Sequence, residues 1–279
     1  MEKSMRRYMR VGTILHVSYK QLGSGEGPIL ECLKKIVTDP YFEVVEVAHM
    51  KDAEVRKAAA DMIARGHMTS SYGGQGRMLG AGLNINDLNE EGRQKALASL
   101  KEGIDEAYEM GVEDFAFLAG RYEEETKEES FQALLKSTRE LCEYAKSKGD
   151  MPVLCEVFDY DMDKAALIGP APYAAKFAAD MRCMLHETME ESLLPGQQYI
   201  RHAHMGNTVI KSPECPAYGD EHPRFGFPNS ENDVEELAAY LRLLLKIGFL
   251  NEKKRPIVSF EIKPFGEEDP EVCLANAKR

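Results

Sequence analysis

The feature that most constrains this chain is an alternation. Short runs rich in β-branched and aromatic residues recur between longer stretches with helical spacing. Val11–Val17, Phe42–Val47, Phe115–Leu118, Pro152–Phe158, Tyr199–Met205 and Ile257–Ile262 read as strands, and His67–Tyr72 as a weaker one. Between them, Pro28–Ile36, Ala53–Ala64, Glu90–Met110, Glu128–Ser147 and Val234–Ile247 carry apolar residues at helical intervals, several ending at a glycine suited to a left-handed cap. Strand–helix alternation of this kind implies parallel strands joined by right-handed crossovers. Over 279 residues it predicts a single (β/α)₈ TIM-barrel domain spanning 1–279. The glycine-rich run Tyr72–Gly76 lacks the strand–GxGxxG–helix layout of a phosphate cradle and reads as a loop over the barrel mouth.

Charge narrows the function. With 35 Lys+Arg against 47 Asp+Glu the net charge is −12, and the only basic run is Lys253-Lys254-Arg255. Nucleic-acid binding depends on clustered cations that displace counterions, so a nucleic-acid partner is not expected. No apolar run approaches membrane-spanning length, the Met-Glu-Lys-Ser start has no apolar signal region, and the six cysteines form no CxxC pair. These features predict a cytoplasmic protein with reduced thiols and no membrane partner, and they leave a homo-oligomer open.

Three late strands break their apolar pattern with residues that bind metals. Glu156 interrupts VLCEVF, His202 and His204 interrupt YIRHAHM, and Glu261 interrupts IVSFEI. A carboxylate inside such a run is costly to bury without a cation or several donors. All of these positions fall near strand C-termini, where barrel enzymes place their chemistry. Carboxylate and imidazole ligands suit Mn, Mg, Co or Zn without choosing among them. Because side chains alternate along a strand, His202 and His204 share a face, so one can ligate while the other packs beneath it or holds substrate. Asp220-Glu221-His222 follows in a loop and is either half of a second metal site or an ordinary salt bridge. Arg224 and Lys263 are candidate substrate contacts.

At these residues the chain resembles the xylose-isomerase-like barrel superfamily, within it the sugar phosphate isomerases/epimerases. The words that carry the likeness are LCEVFD (154–159), HAHMGN (202–207), PAYGDEHPRFG (216–226) and SFEIKP (259–264). The resemblance implies one divalent metal held by Glu156, His204 and Glu261, with both glutamates exchanging a proton with a carbon beside a sugar carbonyl. It also implies that Asp220 and His222 match the pair that binds a further zinc in apurinic-site endonucleases of the same fold. The likeness departs between Tyr173 and Tyr199, where a sixth strand with an Asp ligand belongs. Either His186 replaces that Asp on a shortened strand Arg182–Leu185, or the strand is missing and Asp180 and His186 lie on a helix surface. Loss or truncation is the expectation. The reading is therefore a metal-dependent isomerase or epimerase acting on a small carbohydrate. Its alternatives are an endonuclease-like phosphodiesterase and a catalytically silent sugar-binding barrel.

Overall fold

The structure, a computed structural model, describes residues 4–161, 163–169 and 197–279. The segment expected to hold the sixth strand, with Asp180, Arg182–Leu185 and His186, lies outside the described residues. Among the described residues there are seven strands: β1 (Arg10–Ile14), β2 (Val44–Ala48), β3 (Thr69–Gly73), β4 (Phe115–Leu118), β5 (Val153–Glu156), β6 (His202–Gly206) and β7 (Ile257–Glu261). The principal helices are α1 (Ile29–Val37), α2 (Ala53–Arg65), α3 (Gln75–Leu79), α4 (Glu90–Met110), α5 (Lys127–Lys148), α6 (Val234–Lys246) and α7 (Pro270–Ala277). The chain forms two compact units, the first from described residues within 1–46, 62–69 and 188–279, the second from those within 47–61 and 70–187.

In the first unit β1 pairs in parallel with β2 on one side and with β7 on the other, and β6 pairs in parallel with β7. The register sets Ile14 beside Glu46 and Gly206 beside Glu261, which brings polar residues to neighbouring strand ends. Val11, Val44, Val45, Val258 and Phe260 are buried, as parallel strands covered on both faces require. Helix α6 starts with a capping box, in which Asp233 caps the helix and Glu236 reaches back to the Asp233 amide.

In the second unit β4 pairs in parallel with β3 and β5. Helix α4 buries Ala96, Leu97, Leu100, Ile104 and Ala107 at intervals of one, three and four, a single apolar stripe. Its first turn is capped by the Asn89 side chain, and Gly111 ends it at φ 65°. Arg93, fully buried, joins α4 to α5 by donating to Ser137 Oγ at 2.7 Å and Glu140 at 2.9 Å.

Two local expectations need correction. The first strand stops at Ile14, and Leu15–Ser18 turn into a helical segment instead of continuing to Val17. The glycine-rich run is not one loop. Tyr72 and Gly73 finish β3, Gly74 donates its N–H to Ala116 O at 2.8 Å, and Gln75 opens α3. A Cβ on Gly74 would lie 2.9 Å from that same carbonyl and 2.7 Å from the Phe115 ring, so the close approach itself excludes a side chain.

Candidate metal centre

Three of the chain's seven histidines meet three carboxylates inside the first unit. His202 and His204 alternate with buried Ala203 and Met205 along β6, so both imidazoles leave the same face, with ring centres 5.1 Å apart. His202 Nε2 lies 2.8 Å from Glu46 Oε1, and His204 Nε2 lies 3.2 Å from each Glu46 oxygen. On its other side, His204 Nδ1 is 3.0 Å from Glu261 Oε2. His204 thus stands between two carboxylates, one from β2 and one from β7.

The loop after β6 supplies the third histidine. His222 Nε2 is 3.1 Å from Asp220 Oδ1 and 3.6 Å from Glu261 Oε1. Its backbone sits at φ 51°, a left-handed conformation that costs a non-glycine residue energy and needs outside support. That support is visible: Lys263 N–H donates to His222 O at 2.8 Å. Gly206 gives the ring room, because a Cβ there would lie 3.1 Å from His222 Nδ1. Asn207, fully buried, pins the loop by donating to Arg224 O at 2.9 Å and accepting from the Thr208 and Asn232 amides.

The electrostatics follow from this packing. Burial alone would push the Glu261 carboxyl up, but the charges of His222 and His204 outweigh it and hold the group at about 2. Glu46 is likewise pushed up by burial and drawn well below the usual carboxylate range by His202 and His204. Burial lowers His222, but Glu261 and Asp220 raise it to about 9. Both glutamates are held ionised, and an ionised carboxylate only accepts hydrogen bonds.

The donor set suits a divalent ion. One oxygen of Glu46 and one nitrogen each of His202 and His204 lie within 4.8 Å of one another, a grouping of donors that could hold a metal ion. His204 Nδ1 and Glu261 Oε2 face each other at 3.0 Å. Imidazole and carboxylate together match Zn, Mn or Co chemistry. Beside His204 a cleft of about 270 Å³ is bordered by Phe225, Asn232, Glu236 and Tyr240.

The remaining expected residues have defined partners. Arg224 is engaged by Glu268 at 2.8 Å and by the Gly226 carbonyl, with its guanidinium over the Phe227 ring. Lys263 pairs with Glu221. In the second unit, Glu156 ends β5, opposite Leu118 in the register, and its carboxylate accepts from the Gln75 side-chain amide at the start of α3. Sequence reasoning missed Glu46 and Gln75. Glu46 breaks FEVVEV just as Glu261 breaks IVSFEI, so the signal was present. Gln75 carried none, since nothing in a glycine-rich run marks one amide as a carboxylate donor.

Comparison with known proteins bears on the fold. Residues 37–166 match the family described as "Xylose isomerase-like TIM barrel". No curated protein sequence matches the chain. Among solved structures, a D-tagatose 3-epimerase-like protein aligns over 97% of this chain and 96% of its own at 16% identity, with a TM-score of 0.68. An L-ribulose 3-epimerase aligns over 96% and 86% at 16% identity and a TM-score of 0.65. A family 2 AP endonuclease from Brucella melitensis aligns over 96% and 97% at 13% identity and a TM-score of 0.67. At such identities the likeness establishes fold alone. Residues 37–166 thus match the description of a xylose isomerase-like TIM barrel, and the chain shares the fold of these solved structures over nearly its whole length.

Proposed function

We propose that this protein is a divalent-metal-dependent isomerase or epimerase of a small sugar or sugar phosphate. The observation that carries the reading is His204, held between Glu46 and Glu261 with Asp220 and His222 alongside. His204 and Glu261 would hold the ion, with Glu156 as the further carboxylate ligand. When bound, the metal would polarise the substrate carbonyl and its neighbouring hydroxyl as a Lewis acid.

The protein's own groups then move the proton. Glu261, ionised at neutral pH, takes it from the carbon beside the carbonyl. Glu156 serves as the second proton carrier, oriented by the Gln75 amide that donates to it. Lys263 and Arg224 would meet substrate oxygens by exchanging their present partners, Glu221 and Glu268. Their charges suit a hydroxyl-rich or phosphorylated ligand. The acidic chain favours such a substrate over a polynucleotide.

One observation favours a second reading. Asp220 and His222 touch each other and approach Glu261, an arrangement able to take a further metal, and an AP endonuclease is among the structural neighbours. A single experiment separates the readings. Metal-stripped protein is reloaded with Mn, Mg, Co or Zn in turn and incubated with ketoses and their phosphates in heavy water, and in parallel with abasic DNA. Metal-dependent deuterium incorporation beside the carbonyl is the expected result. Incision of abasic DNA without sugar exchange would replace this reading with the second. Inertness on both, with every metal, would leave a silent barrel.

A further inference from the structure

We propose that Glu46 is a positioning residue that fixes the His204 tautomer, so that His204 offers Nδ1, not Nε2, to a metal ion. The inference rests on the metal-dependent reading above and adds a role for a residue to which that reading assigns no chemical step.

The argument begins with the number of protons available. Neutral imidazole carries one N–H and one lone pair, and a metal needs the lone pair. Both ring nitrogens of His204 face carboxylates, Nε2 toward Glu46 and Nδ1 toward Glu261. When a metal binds, one nitrogen gives up its proton, and the surroundings decide which.

The two carboxylates differ in what else they can do. Glu46 is 6% exposed, buried on β2, and its Oε1 already takes the 2.8 Å contact from His202. A separation of 2.8 Å is hydrogen-bond distance, and His204 Nε2 stands 3.2 Å from each oxygen of the same carboxylate, so Glu46 faces one ring nitrogen from each histidine. Glu46 is therefore fitted to receive N–H groups from both histidines of β6. If His204 Nε2 lost its proton, a lone pair would face a buried carboxylate that only accepts, which is a repulsive contact at low dielectric. Glu261 is different: it ends β7 and its side chain is about twice as exposed as that of Glu46. It can itself turn an oxygen to the same ion that takes Nδ1. The Nε2 proton stays and the Nδ1 proton leaves.

His202 is the second half of the device. By sharing Glu46 Oε1 with His204, it keeps the carboxylate from rotating away from the pair. Such a carboxylate behind a metal-binding histidine fixes ring orientation and raises the basicity of the ligand nitrogen, and its loss typically weakens metal binding about 10–100-fold.

The test reads the nitrogen directly. In the zinc-loaded wild-type protein with ¹⁵N-labelled histidine, long-range ¹H–¹⁵N correlation should show His204 protonated at Nε2, with Nδ1 shifted by the metal. The assignment is made by comparison with His204→Asn. A second arm measures zinc affinity in Glu46→Gln, where the amide cannot accept from both histidines on a charged carboxylate. Affinity should fall about 10–100-fold, with the far-ultraviolet spectrum kept. Zinc on Nε2, or a folded Glu46→Gln protein that binds zinc as tightly as wild type, would overturn the role of Glu46 while leaving the metal-dependent reading intact. Failure of the wild type to bind zinc, manganese or cobalt at all would instead remove the metal reading itself and this inference with it.

Discussion

Each unit buries a glutamate among ring and cationic partners, and the partners differ in kind. In the second unit Glu106 accepts from Tyr72 at 2.7 Å and from Arg77 at 2.9 Å, lies 2.9 Å from His49, and has Arg56 at 3.5 Å. In the first unit, among the described residues, the side-chain partners that contact Glu46 and Glu261 are histidines. Arginine never gives up its proton and cannot bind a metal ion, so Arg77 and Arg56 keep the Glu106 carboxylate paired, and the cluster ties α4 to β3 and to the residues after β2. Histidine can lose its proton and offer a lone pair, so the Glu46–His204–Glu261 row can exchange protons for an ion. A buried carboxylate is therefore no sign of function by itself. The donors around it decide.

The comparison is broken most severely by removing Glu106. Glu106→Ala takes one carboxylate from two arginines whose side chains lie mostly out of water; a buried ion pair broken outright costs about 3–5 kcal/mol, and because Arg56 keeps Glu109 and Arg77 keeps Glu102 the loss falls at the lower end, roughly 3 kcal/mol. Chemical denaturation should show that loss, while metal affinity per folded molecule stays at the wild-type level. The acid limb should change as well. Burial raises the Glu106 carboxyl, but Tyr72, His49 and Arg77 together bring it below its ordinary value of 4.5. A group lowered on folding contributes stability that is fully present above that ordinary value and is lost as pH falls through the folded value. Melting temperature in the variant should thus fall less steeply below about pH 4.5 than in wild type. An unchanged acid slope would mean that Glu106 does not carry this stability.

A smaller effect sharpens the contrast from the first unit. Asn207→Ala removes one of two donors to Arg224 O, which keeps the Phe227 amide, and strands the Thr208 and Asn232 amides, at about 1–3 kcal/mol for buried groups left unpaired. Since that loop carries Asp220 and His222, the loss of stability should come with altered metal stoichiometry or affinity, which Glu106→Ala should not show. The smallest is Asp233→Ala at the start of α6. It removes a capping box worth about 1 kcal/mol, and should shift the melting temperature without touching either cluster.

Much of this organisation was legible in the residues. The βα alternation located every described strand, because a parallel sheet covered on both faces needs runs such as VVEV and IVSFE, and the helices carry their stripes and caps in sequence. His204, Glu261, Asp220 and His222 were legible as polar breaks at strand ends and in one loop, and they do meet. Partners were harder to read. Glu46 breaks its strand as Glu261 does, but only its register beside Ile14 and its contacts to β6 identify its partners. Arg224 read as a candidate substrate contact, and the acid that engages it, Glu268, is 44 positions away. The first strand was read three residues too long because Leu15, His16 and Val17 continue its apolar run, and apolar runs alone do not distinguish a strand from a helical turn.

The central claim is that the glutamate ending β7 is both a ligand and a proton carrier, and one variant tests it. Glu261→Gln keeps the shape and removes the charge and basicity. It is compared with wild type for bound metal per chain and for deuterium incorporated into substrate from heavy water, at metal concentrations that saturate both proteins. The account predicts a folded variant with weakened metal binding and exchange reduced roughly 10²–10⁴-fold even at saturation, the range that one general base contributes. A folded Glu261→Gln protein that exchanges deuterium at the wild-type rate would contradict it.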